Sequence, residues 1–420
     1  MVINTIKKGY KQTEIGVIPD DWDTDQFINI VDKYIDYRGR TPKKIGMEWG
    51  KGNILALSAN NVQMGKIDCS KEAYFGSDEL YKKWMVQGTC EKDDVLLTME
   101  APLGNVAQIP DNKKYILSQR VILIKPKGLT KNFLAKLLAG SHFQKELLNN
   151  ATGTTAQGIQ RHKLDKIEIC FPKSVKEQNA IANVLTDIDS LIEKLEKLIE
   201  KKKMIKQGAM QELLTGRRRL PGFSDKWKMR KLGEITETGS GGTPLTSVSE
   251  YYGGDISWVS ITDMTNVRKY LFNTERYLTN KGFTNSAAKM FPKGTVLYAM
   301  YASLGECCIA TKAVCTSQAI LGIRPKKILN NQFLYYYLTF IKERVKTMGQ
   351  QGTQSNLNSG MVKSFEILLP QIEEQILIIT ILSDMDLGIE RLEDHLDKYH
   401  AIKQGTMQAL LTGKIRLLTK

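Results

Sequence analysis

The histidines and cysteines of the chain are not spaced for catalysis or for metal binding. Its histidines are scattered, and none lies at a spacing that suggests a base and a nucleophile: His142, His162, His395 and His400. No CxxC pair occurs, and no histidine follows a cysteine at zinc spacing, so we expect buried, reduced thiols at Cys69, Cys90, Cys170, Cys307, Cys308 and Cys315.

Two other catalytic chemistries are also poorly matched. Residues 46–51 have one residue too few between their glycines for a phosphate-binding P-loop, and residues 239–242 are typical of a turn. A metal-dependent nuclease needs clustered carboxylates and a lysine at strand ends, and the acidic pairs at 20–21 and 93–94 offer no such neighbour in an obvious strand. We therefore expect no active site and no cofactor or metal in this chain.

Amide, hydroxyl and basic side chains instead cluster in stretches that the sequence pattern places in loops. Such side chains suit phosphate contacts and bidentate readout of base edges, with arginine pairing to guanine and asparagine or glutamine to adenine. The candidate DNA-binding residues of the first half are Arg38, Arg40, Lys43, Lys44, Asn60, Asn61, Gln63, Thr154, Thr155, Gln157, Gln160 and Arg161. Those of the second half are Thr243, Thr246, Ser247, Thr262, Asn266, Arg268, Gln350, Gln351, Gln354, Ser355 and Asn356. A solvated turn explains any one of these residues equally well, so the prediction depends on the two parallel sets.

The net charge favours a polyanionic partner. Sixty lysines and arginines against 45 acids give +15 at pH 7, and seven basic residues lie within 217–231 alone. A lipid surface would also attract this charge, but no apolar run approaches the ~18 residues that a membrane span needs. The first residues lack the apolar core of a secretory signal, so we expect a cytoplasmic protein.

The elements that carry these loops are duplicated. Residues 205–216 and 402–413 read IKQGAMQELLTG and IKQGTMQALLTG, 197 residues apart. Each copy follows a Glu-Gln pair, Glu177-Gln178 and Glu374-Gln375, and each pair follows a strand-like run that ends in proline. Upstream the halves correspond only faintly, as in VLLTMEAPLG and VLYAMYASLG. Each half is therefore a variable globular domain followed by a nearly invariant helix.

The invariant segments are predicted to form long helices that pack on each other. Apolar residues alternate at spacings of four and three, as in a coiled-coil seam, at Val184, Ile188, Leu191, Leu195 and Leu198, continuing through Lys202, Ile205 and Ala209. Two amphipathic helices lying on their own domains are the alternative, but ~55 Å of helix exceeds the width of a small domain. A nearly identical helical sequence that occurs twice suggests that each copy binds one copy of the same partner. The candidate partner-binding residues are Gln207, Met210, Gln211, Leu214, Gln404, Met407, Gln408 and Leu411.

The predicted fold class is α+β, with two mixed α/β domains separated by two long antiparallel helices that form a coiled coil with a pseudo-twofold repeat. We expect the first domain at residues 1–172, its helix at 173–216, the second domain at 217–370 and its helix at 371–420.

This organisation resembles the specificity subunit of type I restriction-modification systems over essentially the whole chain. The resemblance is carried by the opening TEIGVIPDDW, the twice-used strand-Pro…Glu-Gln segment, the ID-x-LI-EKLE helix and the LLTG ending. It implies two target-recognition domains, each reading one half of a bipartite asymmetric DNA sequence, held at fixed separation by antiparallel helices. It also implies double-stranded DNA as a partner and no activity in this chain alone. Two modification subunits that bind S-adenosylmethionine, and ATP-dependent restriction subunits, would join it.

Two other functions fit parts of the sequence. A stand-alone DNA-binding protein, such as a repressor or an orphan subunit, would carry the same loops but would leave the repeated helical surfaces without a use. A coiled-coil adaptor would leave the +15 charge and the divergent domains unexplained.

Overall fold

The computed structural model describes residues 6–71, 73–153, 156–350 and 356–417. The chain divides into two compact units, one formed by Met1–Leu195 with His395–Lys420 and the other by Glu196–Asp394. Each unit therefore contains one domain, the beginning of the long helix that follows this domain, and the end of the other long helix.

The first unit combines short strands with four short helices and parts of both long helices. Its strands are β1 Tyr10–Thr13, β2 Gly16–Pro19, β3 Trp22–Gln26, β4 Val31–Asp36, β5 Ile54–Leu57, β6 Val62–Gln63, β7 Lys66–Ile67, β8 Tyr74–Gly76, β9 Val95–Met99, β10 Leu103–Gln108, β11 Ile116–Leu117, β12 Val121–Pro126 and β13 Glu168–Pro172. Its helices are α1 Asp78–Trp84, α2 Lys131–Ala139, α3 Ser141–Asn149, α4 Arg161–Leu164 and α5 Val175–Leu214, which continues into the second unit. Phe27–Ile30 and Pro42–Ile45 form 3-10 turns.

A four-stranded antiparallel sheet in the order β10-β9-β12-β4 separates two cores of the first unit. Side chains alternate across a strand, so Val95 and Leu97 of β9 pack into one core while Leu96 packs into the other. Burial on both faces explains why the strand is apolar at every position but one. The first core also receives α2, α3 and both long helices, including Leu185 and Leu410. The second core lies under the smaller sheet β11-β5-β8.

The second unit has the same plan. Its strands are β14 Lys228–Lys231, β15 Thr236–Ser240, β16 Tyr252–Val259, β17 Tyr270–Leu271, β18 Arg276–Leu278, β19 Met290–Phe291, β20 Val296–Ala299, β21 Cys307–Ala310, β22 Val314–Thr316, β23 Ile320–Pro325 and β24 Glu366–Leu369. Its helices are α6 Leu232–Ile235, α7 Ile261–Thr265, α8 Asn280–Thr284, α9 Asn331–Gln350, α10 Ser359–Lys363 and α11 Ile372–Leu411, which continues into the first unit. Ser249–Tyr251 forms a 3-10 turn.

Here a five-stranded sheet, β15-β23-β20-β21-β17, divides the cores. Val296 and Tyr298 of β20 pack toward α9 and the long helices, and Leu297 packs into the opposite core. Ser260 caps α7 in a reciprocal capping box with Asp263. The two mixed domains and the two long helices confirm the predicted fold class.

Both long helices span 40 residues and end in the same way. Gly216 and Gly413, two residues after the last helical leucine, have φ of 69° and 68°, the left-handed conformation in which glycine commonly terminates a helix. Close packing also favours glycine, because a Cβ at Gly413 would lie 2.4 Å from Cδ of Pro19. The repeated LLTG sequence therefore encodes a helix stop.

Within the second unit Lys203 contacts Glu393 and Lys206 contacts Asp386, so the segments of α5 and α11 in this unit are antiparallel. Ile188 and Leu195 of the predicted seam are half-buried, but the seam positions that alternate with them were wrong by one residue. Leu185, Ile192 and Ile199 are buried, whereas Val184, Leu191 and Leu198 are exposed by 36–39%. None of the described helices is both long enough and apolar enough to cross a bilayer.

Candidate nucleic-acid interface

Three of the four arginines in the first domain are already engaged within the fold. The Arg38 guanidinium donates to both carboxylate oxygens of Asp36, with an Nη2 to Oδ2 distance of 2.6 Å. Arg40 donates to the carbonyls of Lys83 and Trp84 at 3.0 and 3.1 Å and lies over the Trp84 ring. These arginines shape the surface, and a base contact by either would require the loss of these hydrogen bonds.

Arg161 is held in the same manner. Its guanidinium carbon lies 3.2 Å from the centroid of the Tyr34 ring, and its Nε donates to Asp165 at 3.3 Å. Burial and the hydrogen bond to Asp165 raise the pKa of Tyr34 well above its usual value. Arg38 and Arg161 line one open cavity of about 710 Å³ together with Asp32 and Asp36. These two carboxylates lower the suitability of this cavity for a phosphate backbone.

Arg40 and Asn60 meet at a second cavity of about 330 Å³ that lacks carboxylates. Its lining residues are Arg40, Thr41, Pro42, Trp49, Ser58, Ala59, Asn60, Tyr74, Ser118, Gln119 and Arg120. Trp49 and Tyr74 form an aromatic wall, with ring centroids 6.1 Å apart. A neighbouring cavity of about 400 Å³ shares Asn60 and adds Gln63 and Lys71. We call the cavity of about 330 Å³ the β11–β12 cavity, after the turn that contributes Gln119 and Arg120.

The other candidates of the first half divide into structural and exposed residues. Asn61 is fully buried, and its side chain bonds the backbone of Ser58, Asp68 and Lys71, so it stabilises the loop and cannot reach DNA. Gln63 donates to Asp68, and Lys44 donates to the Gly39 carbonyl at 2.6 Å. The exposed candidates are Lys43, Asn60, Gln157 and Gln160. Thr154 and Thr155 lie outside the described residues.

In the second half, Arg268 is engaged by α11, since it pairs with Glu390 at 2.7 Å and Glu393 at 2.8 Å. The Thr243 hydroxyl donates to the Gln318 side chain. Thr246, Ser247, Thr262, Asn266 and Asn356 are exposed. Gln351, Gln354 and Ser355, and the side chain of Gln350, lie outside the described residues.

Sequence reasoning missed Gln119 and Arg120. Both are exposed at the turn between β11 and β12, where their side chains border the β11–β12 cavity. The signal was present, because Ser118-Gln119 and Ser317-Gln318 match between the halves. Only the structure shows that this matched turn adjoins Asn60 and Arg40.

The repeated helices dock on the domains through a glutamate that receives a tryptophan and an arginine. In the first unit, the buried carboxylate of Glu177 accepts from Trp22 Nε1 at 3.3 Å and from Arg416 Nε at 2.6 Å. Arg416 also donates twice to Asp21, at 2.7 and 2.8 Å. The hydrogen bonds to Glu177 and Asp21 raise the pKa of Arg416 and lower the pKa of Asp21. We call Glu177, Trp22 and Arg416 the first glutamate cluster.

The second unit repeats this arrangement. Glu374 accepts from Trp227 Nε1 and from Arg219 Nε, both at 2.9 Å. Arg219 also donates to the carbonyl of Asp225 at 2.7 Å. We call Glu374, Trp227 and Arg219 the second glutamate cluster. The matched contacts explain why the Glu-Gln pairs and the Arg-Leu dipeptides persist in both copies.

The glutamine of each Glu-Gln pair binds the residue just before a helix of its domain, α2 in the first unit and α9 in the second. Gln178 accepts from Thr130 N at 2.9 Å and donates to the carbonyl of Pro172 at 2.9 Å. Gln375 accepts from Asn330 N at 2.8 Å and donates to the carbonyl of Pro370 at 3.0 Å. Both side chains are fully buried, so both polar ends need these partners.

Only some of the partner-binding candidates on the long helices are exposed. Met210, Leu214 and Leu411 are buried in the cores of the units and are not available for docking, and Met407 packs partly against the first core. The amides remain exposed at Gln207, Gln211, Gln404 and Gln408. The sequence repeat identified both core positions and surface positions as candidates, because both kinds of position recur in the two copies.

The described residues contain no group of three or more His, Cys, Asp or Glu side chains that could hold a metal. All six cysteines are free. Four are buried as expected, and burial raises the pKa of Cys170 to about 11 and that of Cys307 to about 12. Cys69 is exposed and Cys90 is half-buried, so the expectation of burial was wrong for these two.

Comparison with known proteins adds a family to this geometry. The sequence profile described as the type I restriction modification DNA specificity domain matches residues 19–204 and again residues 224–398. The putative specificity subunit of type I restriction enzyme MjaX from Methanocaldococcus jannaschii is 25% identical over 438 residues, which cover 98% of both chains.

Two solved structures share the fold. The crystal structure of the S subunit of a type I restriction-modification system from M. genitalium is 16% identical, covers 98% of both chains and has a TM-score of 0.56. A chain from work on complex assembly and conformational transition of the type I R-M system is 17% identical and has a TM-score of 0.61. That alignment covers 95% of this chain and 99% of the other.

Proposed function

This chain belongs to the family of type I restriction-modification DNA specificity domains, and on that basis we propose that each of its two domains reads one half of a bipartite, asymmetric DNA sequence. Its role is to supply DNA sequence specificity, and the comparisons do not favour a stand-alone repressor. In our proposal the chain performs no catalytic step, and α5 and α11 set the distance between the two half-sites.

The observation that carries this proposal is the unequal divergence of two equivalent units. The glutamate clusters and the Gln178 and Gln375 hydrogen bonds are the same in both units. At the β11–β12 cavity Ser118 and Gln119 recur in the second half as Ser317 and Gln318, but Arg120 does not, since it corresponds to Ala319. Identical docking beneath different loops is expected when two domains read different base sequences.

We propose that the repeated helices also bind two modification subunits, one for each copy of the repeat. The exposed amides of Gln207, Gln211, Gln404 and Gln408 offer the same donors and acceptors twice. S-adenosylmethionine would bind to the modification subunits, and ATP to restriction subunits that join the complex. This chain would contribute the orientation of DNA against them.

The test is to co-express the chain with the modification subunits of its own system in a host without adenine methylation, and to map methylated adenines. We expect one motif with two specific parts and a constant gap. A matched culture without this chain should show none. Methylation that does not depend on the chain, or a motif without a gap, would contradict the proposal.

A second measurement tests the spacing role of the helices. Four residues would be inserted after Leu195 and four after Asp394, where the two units meet along the chain, so that contacts inside each unit are kept. Four residues add ~6 Å and rotate a helix by about 40° beyond one turn, close to the turn of one DNA base pair. The gap should lengthen by one or two base pairs with both half-sites unchanged. An unchanged gap or altered half-site bases would contradict the spacing role.

A further inference from the structure

Arg120 lies at an unusual place in the first domain. With Gln119 it forms the exposed turn between β11 and β12, and it borders the β11–β12 cavity, which Trp49 and Tyr74 also line. Its φ of 66° is in the left-handed region, which a non-glycine residue adopts at a cost and keeps only where the surroundings hold it. The Arg120 carbonyl accepts from Met99 N at 2.8 Å, which anchors the turn to β9.

The Arg120 guanidinium is not used by the fold. The other arginines of the first domain, Arg38, Arg40 and Arg161, bond a carboxylate or a carbonyl, whereas among the described residues Arg120 has no side-chain hydrogen bond or ion pair. An exposed guanidinium held on an anchored turn keeps its full set of donors for an external acceptor.

The second domain has a turn at the equivalent place without the arginine, and Ala319 there lacks the left-handed φ of Arg120. Ser118 N donates to the Leu57 carbonyl at 2.8 Å, and Ser317 N donates to the Val259 carbonyl at 3.0 Å. The bond from Met99 N to the Arg120 carbonyl has its counterpart in the 2.9 Å bond from Met300 N to the carbonyl of Ala319. Both anchors are bonds between backbone groups, so the arginine side chain is not needed to form them.

We propose that Arg120 is a specificity-determining residue that reads a guanine of the first half-site. This proposal rests on the proposed function, and it names one side chain of the first domain and the base that this side chain contacts. The planar guanidinium matches the O6 and N7 acceptors that guanine presents in the major groove, and such a bidentate pair favours the correct base by roughly 5- to 150-fold. The aromatic wall of Trp49 and Tyr74 provides an apolar surface beside it for the neighbouring base.

The experiment compares Arg120→Ala, Arg120→Lys and Lys113→Ala in the complete complex with its modification subunits. Arg120→Ala gives the turn the side chain that the second domain carries. Arg120→Lys keeps the charge but loses the two-pronged donor geometry. Lys113 is an exposed cation of the same domain outside the cavity, with its side chain 80% exposed, so Lys113→Ala controls for lost charge. The readout is the methylated motif and its preference at each base pair.

We expect both Arg120 variants to lose preference at one G·C pair of one half-site, by roughly 5- to 150-fold, with the gap and the other half-site unchanged. Lys113→Ala should leave the motif as it is. Full specificity in Arg120→Lys would overturn base readout and indicate a phosphate contact, as would a uniform loss of methylation in Arg120→Ala with no change of motif. Relaxation at a position that is not G·C would overturn the assignment to guanine. If the unaltered chain directs no bipartite motif, the proposed function fails, and this outcome is distinct from failure of the Arg120 proposal.

Discussion

Asp189 of α5 accepts hydrogen bonds from Lys136 of the first domain and from Lys403 of α11, each at 2.6 Å. Burial alone would raise the pKa of this carboxyl, but the two lysines outweigh burial and hold the pKa below its usual value. A depressed carboxyl pKa stabilises the folded state at neutral pH, and this stability is lost as pH falls through the folded pKa.

Asp189→Asn should therefore destabilise the first unit at pH 7 by on the order of 2 kcal/mol, because two charged donors lose their ionised acceptor. The difference from the unaltered chain should shrink steadily from pH 5 toward pH 3. Urea unfolding at several pH values measures both effects. Asp187→Asn, at an exposed position of the same helix, is the control. A difference independent of pH would show that the charge of Asp189 has no role.

Lys269 shows the opposite shift in the second unit. Its ammonium donates to Gln332, Tyr336 and Ser383 at 2.7 to 3.1 Å. Burial lowers its pKa to about 8; Asp386 opposes this shift, and Lys206 adds to it. Below pH 8 the lysine is charged in both states and the cost of burial is fully present. Between pH 8 and about 10.5 the folded state releases its proton first, so the stability from this group rises with pH.

Lys269→Met removes that titration. The stability of the unaltered chain relative to Lys269→Met should therefore increase from pH 7.5 to pH 9.5, by on the order of 1 kcal/mol after solvent screening of the half-exposed ammonium. The buried cysteines ionise in the unfolded chain over part of this range, but they are present in both proteins and cancel in the comparison. Chemical unfolding at matched pH gives the difference, and a constant difference would contradict the lowered pKa.

The candidate site was only partly predictable at this scale. Side-chain type and loop position identified Arg40 and Asn60, which do meet at one cavity. They could not show that Arg38 is bound by Asp36 or that Asn61 faces inward, because those outcomes depend on the path of the loop. Gln119 and Arg120 were missed because the match of Ser118-Gln119 with Ser317-Gln318 does not show which loops the turn adjoins.

Among the elements, the long helices depend on the glutamate clusters for their docking. The Glu177 side chain is 3% exposed, and Arg416→Ala would leave its carboxylate with Trp22 as the one side-chain partner among the described residues. An uncompensated buried charge costs about 3–5 kcal/mol, so the first unit should be destabilised by that amount. Arg219→Ala is the matched variant and should act on the second unit through Glu374.

Differential scanning calorimetry can separate these effects if the two units unfold as distinct transitions. Each variant should lower one transition and leave the other nearly unchanged. Equal loss from both units, or no loss from either, would contradict independent docking by the two clusters. Arg416→Lys should rescue only partly, since lysine cannot bond Glu177 and Asp21 with a planar fork.

The heptad pattern of the helices predicted their length and pairing but not which apolar residues are buried. The pattern correctly predicted two long antiparallel helices, but each heptad of α5 carries two adjacent apolar residues, such as Leu191 with Ile192 and Leu198 with Ile199. Either register gives a continuous apolar stripe, so the sequence does not choose between them. The folded structure uses the register that buries Ile192 and Ile199.

At the scale of the whole molecule, the second glutamate cluster takes its arginine and its tryptophan from one continuous segment, and the first glutamate cluster does not. Arg219 and Trp227 are joined by seven intervening residues, whereas Arg416 and Trp22 lie at opposite ends of the sequence. Both pairs bond their glutamate in the same way. The covalent link between Arg219 and Trp227 is therefore not what holds the second cluster together.

Cleavage at a protease site inserted after Gly222, an exposed residue of that link, should leave the two fragments associated. Each fragment contributes a helix end to the unit that contains the other domain, so separation would expose both cores. Size-exclusion chromatography of the cleaved protein should show one peak with both fragments. Elution as two separate species would contradict this.

The two glutamate clusters are equivalent although only one of them has its arginine and tryptophan in one segment. The fold therefore depends on the cyclic order of the domains and long helices, and not on which of them comes first in the chain. Tyr10 donates to the Gly413 carbonyl at 3.0 Å, so the first strand lies beside the end of α11. A gene rearranged to begin at the second domain, with a short linker joining the former ends, should therefore direct synthesis of the same two units. Ribosomal order, in which the second domain would then emerge first, is free to vary without changing what each unit contains.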